Sequence, residues 1–325
     1  MHASVAEPIA DRIEAAAAVL GSLARRDVPL APFTTYKVGG SAALFAEVTS
    51  IDDLAIVARA LGASQLPLLI VGRGSNLLVN DAGFAGIAVS IAEISMSIDI
   101  DEQTGIVDAG SGVLLPVLAR RTVKAGLTGF EWAVGVPGSV GGAVKMNAGG
   151  HGSDISASLI DVTVADLAAA GDAPDAGLRL DTIAAADIGL RFRGSALPAT
   201  SVVVSARLQL ATGADPEAGD RELSEIVAWR RANQPGGQNA GSVFVNPVPG
   251  EVSAGALIDE IGLRGHRIGS ASVSDKHANF IQADVDGSAN DVVDLMKFVR
   301  QRVLDETGYA LRSEIKLIGF EEPWD

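Results

Sequence analysis

The residues in this chain best suited to chemistry are glycines, and the chemistry they suit is holding a phosphorylated molecule. In GFEWAVGVPGSVGGAVKMNAGG, residues 129–150, Gly135, Gly138, Gly141 and Gly142 recur too densely for a single turn. Glycine admits positive φ and close approach of a ligand to the main chain, and it weakens regular elements elsewhere. A second cluster, VGRGSNLLV at residues 71–79, starts where the apolar run Pro67 to Val71 ends. A loop at that place can turn backbone N–H groups toward an anion. Either cluster alone also fits a tight turn. Two of them in one part of the chain point to a phosphate-bearing cofactor.

Other chemistries find no support. Gly72-Arg73-Gly74 is followed by Ser75, Asn76 and Leu77, so the third glycine of a Rossmann fingerprint is missing. There is no Walker A sequence and no Gly-x-Ser-x-Gly nucleophile elbow. Four scattered histidines and no cysteine give no metal-ligand spacing, and the lack of cysteine excludes disulfides, a thiolate nucleophile and cysteinyl flavin attachment. A formal charge of −15 opposes nucleic acid and anionic membranes, and no basic stripe with interleaved aromatics offsets it. An anionic small substrate is still compatible if cations gather locally. Arg230, Arg231, Arg264, His266, Arg267, Lys276 and His277 could supply that charge, or could be ordinary solvated residues. No run is long and apolar enough to span a bilayer, and the N-terminus lacks a signal-peptide pattern, so a cytoplasmic protein is expected.

The elements that must carry these residues are of mixed type. Residues 8–25 follow an alanine-rich helical pattern, and Ser50-Ile51-Asp52-Asp53 opens a helix with capping-box spacing. Leu68 to Val71 and Gly86 to Ile91 read as strands, and Ser97 to Ala109 as a hairpin turning at Asp101 to Gly105. Ile160 to Ala165 and Val202 to Leu210 read as strands joined by a surface excursion near 167–177. Thr212 to Pro216 marks a boundary. Beyond it come helices at 217–232, 254–262 and 289–306 and strands near 268–273, 278–283 and 315–320. At 325 residues, 48% of them hydrophobic, the chain can bury two or three compact cores in an α+β arrangement.

Taken in order, Thr34 to Gly40 (TTYKVGG), GRGSNLLV, GVPGSVGGAVKMNAGG, Phe192-Arg193-Gly194-Ser195, NAGSVFVNP, SDKHANFI and SEIKLIGF resemble the UDP-N-acetylenolpyruvoylglucosamine reductase family. The resemblance runs from about residue 30 to 320. It implies a vanillyl-alcohol-oxidase-like FAD-binding domain of two lobes, 1–95 and 96–212, and a substrate-binding α+β domain, 213–325. It also implies noncovalent FAD, although His151, next to the loop at 129–150, raises histidyl attachment. The diphosphate would rest on Val71, Gly72, Arg73, Gly74, Ser75 and Asn76 and on the loop of Gly135, Pro137, Gly138, Ser139 and Gly142. Tyr36, Asn147 and Gly150 would complete the surroundings. Read alone, Tyr36 could equally pack a sheet and Asn147 cap a turn.

The resemblance further implies that NADPH reduces the flavin, and that hydride then passes to C3 of the enolpyruvyl group of a UDP-sugar. Charge left at C2 spreads onto the adjacent carboxylate and must be stabilised until C2 is protonated. The matching positions give Arg193 to polarise that carboxylate, Glu314 to hydrogen-bond it, and Ser242 to deliver the proton. Read alone, Ser242 is a turn residue, Arg193 an ion-pair partner and Glu314 a solvent-facing strand residue. Asn246, with Arg230 or Arg231, would hold the uridine diphosphate sugar, and Lys276, His277 and Asn279 either line the site or form a turn. Phe192 stands where this family commonly has tyrosine, and the chain resembles the shorter subgroup without a long substrate-covering insertion. No nucleic acid, membrane insertion or obligate protein partner is expected. A flavin oxidase of the same broad fold and a nonenzymatic flavin-binding scaffold are the competing readings.

Overall fold

The computed structural model describes residues 8–168 and 178–321. They fall into two compact units, one drawn from Met1–Val28, Ala42–Arg73 and Ala85–Val227, the other from Pro29–Ser41, Gly74–Phe84 and Ala228–Asp325. The glycine cluster at residues 71–79 is therefore divided between them, after Arg73.

The first unit has two cores. Around one, the helices Ile9–Leu20 and Ile51–Ser64 pack with a four-stranded sheet in the order Arg25–Pro29, Ser41–Glu47, Phe84–Ser90, Leu68–Val71. Leu44, Leu54, Val57, Ile87 and Val89 are fully buried there. The capping box at the second helix forms as its spacing predicts: Ser50 Oγ accepts from the Asp53 N–H, and the Asp53 carboxylate accepts from the Ser50 N–H. A further backbone hydrogen bond, from Thr49, leads the contacts that hold the Asp53 carboxyl below its usual pKa. Leu68–Val71 pairs in parallel with Phe84–Ser90 and ends at Val71, releasing the chain at Gly72.

The other core of this unit backs an antiparallel sheet ordered Leu180–Ala184, Leu159–Asp166, Ser201–Gln209, Ile106–Gly110, Ile98–Ile100. The hairpin at Asp101 to Gly105 is present, closed by the Asp101 carboxylate accepting from the Gln103 and Thr104 amides. The strand Leu180–Ala184 was not legible in the sequence, because its exposed, alternating residues sit on a sheet edge. Most of the expected excursion near 167–177 lies outside the described residues.

The helix Pro216–Asn233 buries Leu223 and Ile226 in this second core, so the first unit runs past the boundary expected at 212–216. Apolar burial, rather than the local turn signal, fixes that edge.

The second unit packs the helices Ala254–Glu260 and Ala289–Thr307 on the three-stranded sheet Arg267–Ile268, Ala271–Val273, Ile281–Ala283. The single strand expected near 268–273 is two strands, because Gly269, at φ 52°, turns the chain between them. The strand Lys316–Ile318 pairs in parallel with Leu77–Val79, joining the SEIKLIG and SNLLV motifs. Asp81 then caps the long helix: its carboxylate accepts from the Ala289 and Asn290 amides, both at 3.0 Å, and from the Ser288 hydroxyl. Replacing Asp81 by alanine is expected to lower stability by about 1–2 kcal/mol, the usual worth of an N-cap, read as a lower urea midpoint at unchanged slope. Among the described residues no helix is long and apolar enough to cross a membrane.

Candidate functional site

In the first unit the two glycine loops converge on one side chain. A Cβ placed on Gly72 would lie 3.6 Å from Ser139 Oγ, and one on Gly142 would lie 4.0 Å from the same atom. Neither glycine has a positive φ, and neither would clash. The fold would accept a side chain at both positions, so their bareness leaves room beside Ser139. Gly141, between them, is different: its Cβ would meet Ser111 Cβ at 2.8 Å.

The amides divide in the same way. Val140 N–H donates to the Val113 carbonyl and Gly141 N–H to the Ser111 carbonyl, both at 2.9 Å, so these two are spent on the fold. Ser139 itself opens the short helix Val140–Met146 in extended backbone conformation, with Gly138 before it at φ 144°. Pro137 and Gly142 are exposed, while Gly135 is buried in the turn Glu131–Gly135. Val71 is buried, and exposed Arg73 faces Glu93 at 3.9 Å. The Ser111 hydroxyl and the Trp132 indole N–H are buried and lack hydrogen-bond partners among the described residues. Nothing in the sequence around them signalled this. The convergence on Ser139 fits the diphosphate of a bound dinucleotide.

Asn147 is 4% exposed and holds the left-handed position that ends the helix, at φ 43°. Its amide nitrogen donates to Asp154 Oδ2 and to the Arg191 carbonyl, and its oxygen accepts from the Ser156 amide. The side chain is committed within the protein, as a cap that also fixes the next turn. In that turn Arg191 and Gly194 exchange backbone hydrogen bonds at 2.9 and 3.0 Å, with Phe192 and Arg193 at the tip. Arg193 takes φ 57°, a left-handed conformation that costs a non-glycine residue about 1–3 kcal/mol and gathers at functional sites. Its guanidinium lies 4.8 Å from the Phe192 ring centroid, and Nη2 donates to the Gly149 carbonyl at 3.2 Å. Phe192 is 50% exposed. A tyrosine hydroxyl is thus absent, while an aromatic face for the arginine is retained.

The second unit holds Ser242 and Glu314 on neighbouring chain segments. Asn239 Oδ1 accepts from the Gly241 amide, and Gly241 turns at φ 79°, placing Ser242 where the apolar Val243 and Phe244 begin. Ser242 bridges Phe280 on one side, and on the other the Glu314 amide donates to the Val243 carbonyl at 2.8 Å. Asn76, expected at the diphosphate, donates its side-chain amide to the Glu314 carbonyl and accepts from the Lys316 amide. Gly74 is required by the fold: it sits at φ 60°, and a Cβ there would overlap the Phe33 carbonyl and crowd the Thr34 α-carbon. Ser75 is half-buried.

The surroundings of four substrate or cofactor candidates differ sharply. Tyr36 is fully buried with Val38 and Leu78, its hydroxyl has no partner among the described residues, and burial raises its pKa above the phenolic norm. These are the surroundings of a core-packing side chain, the first of the two readings that its sequence allowed. Arg230 is half-buried, and desolvation lowers its pKa. Arg231 is exposed, and its carbonyl accepts from Lys276 Nζ. Asn246 Oδ1 accepts from the Ala254 amide at the start of Ala254–Glu260, and the residue lines a cavity of about 470 Å³ with Glu251, Glu260 and Tyr309. Two carboxylates make that cavity a poor host for phosphate. Among the described residues no cluster of three or more histidines or carboxylates could hold a metal.

Comparisons with known proteins agree with this layout. A family model described as FAD binding domain matches residues 42–172, and one described as UDP-N-acetylenolpyruvoylglucosamine reductase, C-terminal domain, matches residues 233–318. The UDP-N-acetylenolpyruvoylglucosamine reductase of Synechococcus sp. (strain RCC307) is 43% identical over 297 residues, 91% of this chain and 94% of the relative. That of Heliobacterium modesticaldum is 41% identical over 293 residues, 90% of this chain and 89% of the relative. The crystal structure of the Thermus caldophilus enzyme superposes with a TM-score of 0.74 at 33% identity, covering 91% of this chain and 99% of that one. These matches bear out the α+β fold with an FAD-binding domain ahead of a substrate-binding domain. With a C-terminal domain particular to the reductases, and with relatives above 40% identity along most of its length, this chain belongs to the UDP-N-acetylenolpyruvoylglucosamine reductase family.

Proposed function

We propose that this chain uses FAD and NADPH to reduce the enolpyruvyl group of UDP-N-acetylglucosamine enolpyruvate, giving UDP-N-acetylmuramate for peptidoglycan synthesis. It is a flavoprotein oxidoreductase, and its family membership disfavours both the oxidase and the scaffold readings. The observation that carries this reading is the pair of bare glycines, Gly72 and Gly142, bracketing Ser139 where the fold itself requires neither. The FAD diphosphate would lie there, held noncovalently. FAD, when bound, supplies the hydride relay between NADPH and substrate C3.

Three side chains of the protein act on the substrate. The Arg193 guanidinium, oriented by the Phe192 ring and the Gly149 carbonyl, stabilises charge on the substrate carboxylate. Glu314 hydrogen-bonds the same group. Ser242 passes its hydroxyl proton to C2, where a strongly basic carbanion makes even a weak, well-placed acid sufficient. Arg230 is the better ligand for the UDP diphosphate of the two candidate arginines, because a half-desolvated cation gains most from a bound anion, while Asn246, in a carboxylate-lined cavity, would meet an uncharged part of the UDP-sugar. We assign 1–95 and 96–212 to the two FAD-binding lobes and 213–325 to the substrate-binding domain. We place the reaction in the cytoplasm, with no nucleic-acid, membrane or obligate protein partner.

The test is anaerobic. Purified protein should show a bound-flavin spectrum, bleach with NADPH, and recover on addition of the enolpyruvyl substrate with formation of UDP-N-acetylmuramate. Recovery only on admission of oxygen would indicate an oxidase. A smaller test concerns the cofactor site: Gly142→Val is expected to match the urea stability of the flavin-free parent yet to purify with little or no flavin. Retention of full flavin by that variant would place the diphosphate elsewhere.

A further inference from the structure

The segment SDKHANFI reads in the sequence as a turn ahead of a strand, and the proposed chemistry leaves it unused. In the structure it grips the Ser242 segment from behind. Asn279, 3% exposed, lies beside Phe244, two residues beyond Ser242. Its Oδ1 accepts from the Phe244 amide at 3.0 Å, and its Nδ2 donates to the Phe244 carbonyl at 2.8 Å. The Asn279 carbonyl also accepts from the Val243 amide at 2.9 Å. A side-chain amide has the donor and acceptor of a peptide group, so Asn279 pairs with both polar groups of Phe244 as a neighbouring strand would. Phe280, the next residue, bridges Ser242 itself.

Asn279 is in turn held in place. Ser274 Oγ accepts from the Lys276 and His277 amides and closes the turn, the Phe280 amide donates to the His277 carbonyl, and His277 Nδ1 accepts from the Asn279 amide at 3.2 Å. That last bond requires a neutral imidazole. Burial, and then the nearby Arg264, lower the His277 pKa and favour the neutral form, against the weaker pull of Asp259. The side chain of Asn279 thus spends its oxygen and its nitrogen on the Phe244 backbone, and its main-chain carbonyl holds the Val243 amide.

We propose that Asn279 is the positioning residue for Ser242: its side-chain amide, clamped onto both backbone groups of Phe244, sets the place from which the Ser242 hydroxyl delivers its proton. The proposal rests on the reading of Ser242 as proton donor. A donor displaced by about 1 Å can lose about 100-fold in rate while binding and the other half-reaction persist.

The experiment is a double-mutant cycle on the full-length, flavin-loaded protein, followed by anaerobic stopped-flow. Asn279→Ala and Asn279→Asp are each made alone and with Ser242→Ala. The isosteric aspartate replaces the Phe244 carbonyl's donor with an acceptor and serves if the alanine variant does not fold. Expected is a slowing of flavin reoxidation by the enolpyruvyl substrate of about 10- to 100-fold in the single Asn279 variants. Bleaching by NADPH should be unchanged, and neither Asn279 substitution should slow the reaction further once Ser242 is gone. A full additional loss in the Ser242→Ala background, equal slowing of both half-reactions, or no slowing in the Asn279 variants would overturn the positioning role alone. A Ser242→Ala enzyme that reoxidises at the parental rate would overturn the proton-donor reading and the positioning role with it.

Discussion

Replacing Ser242 by alanine is expected to slow reoxidation of the reduced flavin by the enolpyruvyl substrate by about 10²–10⁴-fold, the range supplied by a positioned general acid. Reduction of the flavin by NADPH should proceed as in the parent, because no proton to C2 is needed in that half. The separation is the point of the measurement: a damaged fold would slow both halves, whereas a missing proton donor slows one. Stability should barely move. Ser242 follows a turn set by Asn239 and Gly241, and the segment after it is held through the main chain of Val243 and Phe244. Anaerobic stopped-flow at saturating substrate gives both rates. A parental reoxidation rate would move the proton donor to another group.

The second large effect is expected at Arg193. Arg193→Ala should lower kcat for reduction of the enolpyruvyl substrate by about 10²–10³-fold, the loss typical of removing one preorganised group that meets charge developed in the transition state. Arg193→Lys should recover little of it. An ammonium cannot reproduce the planar fork that pairs with a carboxylate, and it stacks less well on the Phe192 ring, now 4.8 Å from the guanidinium carbon. Steady-state kinetics separates the outcomes. A raised KM with kcat preserved would mean that Arg193 binds the carboxylate equally in ground and transition states. The strained backbone at φ 57° adds a control: Arg193→Gly relieves that strain, so it should be at least as stable as Arg193→Ala and as inactive.

The site was legible in the sequence to the extent that it depends on local rules. The capping box at Ser50, the Asp101 hairpin and the turn before Ser242 each involve side chains within a few residues of the groups they bond, and all three formed as read. The glycine loops were legible as loops, and the ordered motifs carried the family. What could not be read is which glycine serves the fold and which serves a ligand. Gly74 and Gly141 look no different in sequence from Gly72 and Gly142, but the first two are pressed by Phe33 and Ser111 and the latter two are not.

The same holds for side chains whose role turns on burial. Tyr36, in a motif beside the glycine cluster, invited a cofactor contact, yet is sealed in a core built largely from the far end of the chain. Asn147 and Asn76 also tie down the Arg191 and Glu314 backbones, the latter across 238 residues of sequence, which their motifs did not signal. Arg230 and Arg231 are neighbours on one helix, and only packing distinguishes the half-buried cation from the exposed one. The amino-acid sequence by itself determined most of the elements, the loops and the family, because hydrogen bonds within a turn and apolar periodicity need no distant partner, whereas the edge strand Leu180–Ala184 carries no such pattern. Tertiary structure alone decided which atoms lose water and which backbones touch, because desolvation and steric exclusion are imposed by segments that the sequence keeps far apart.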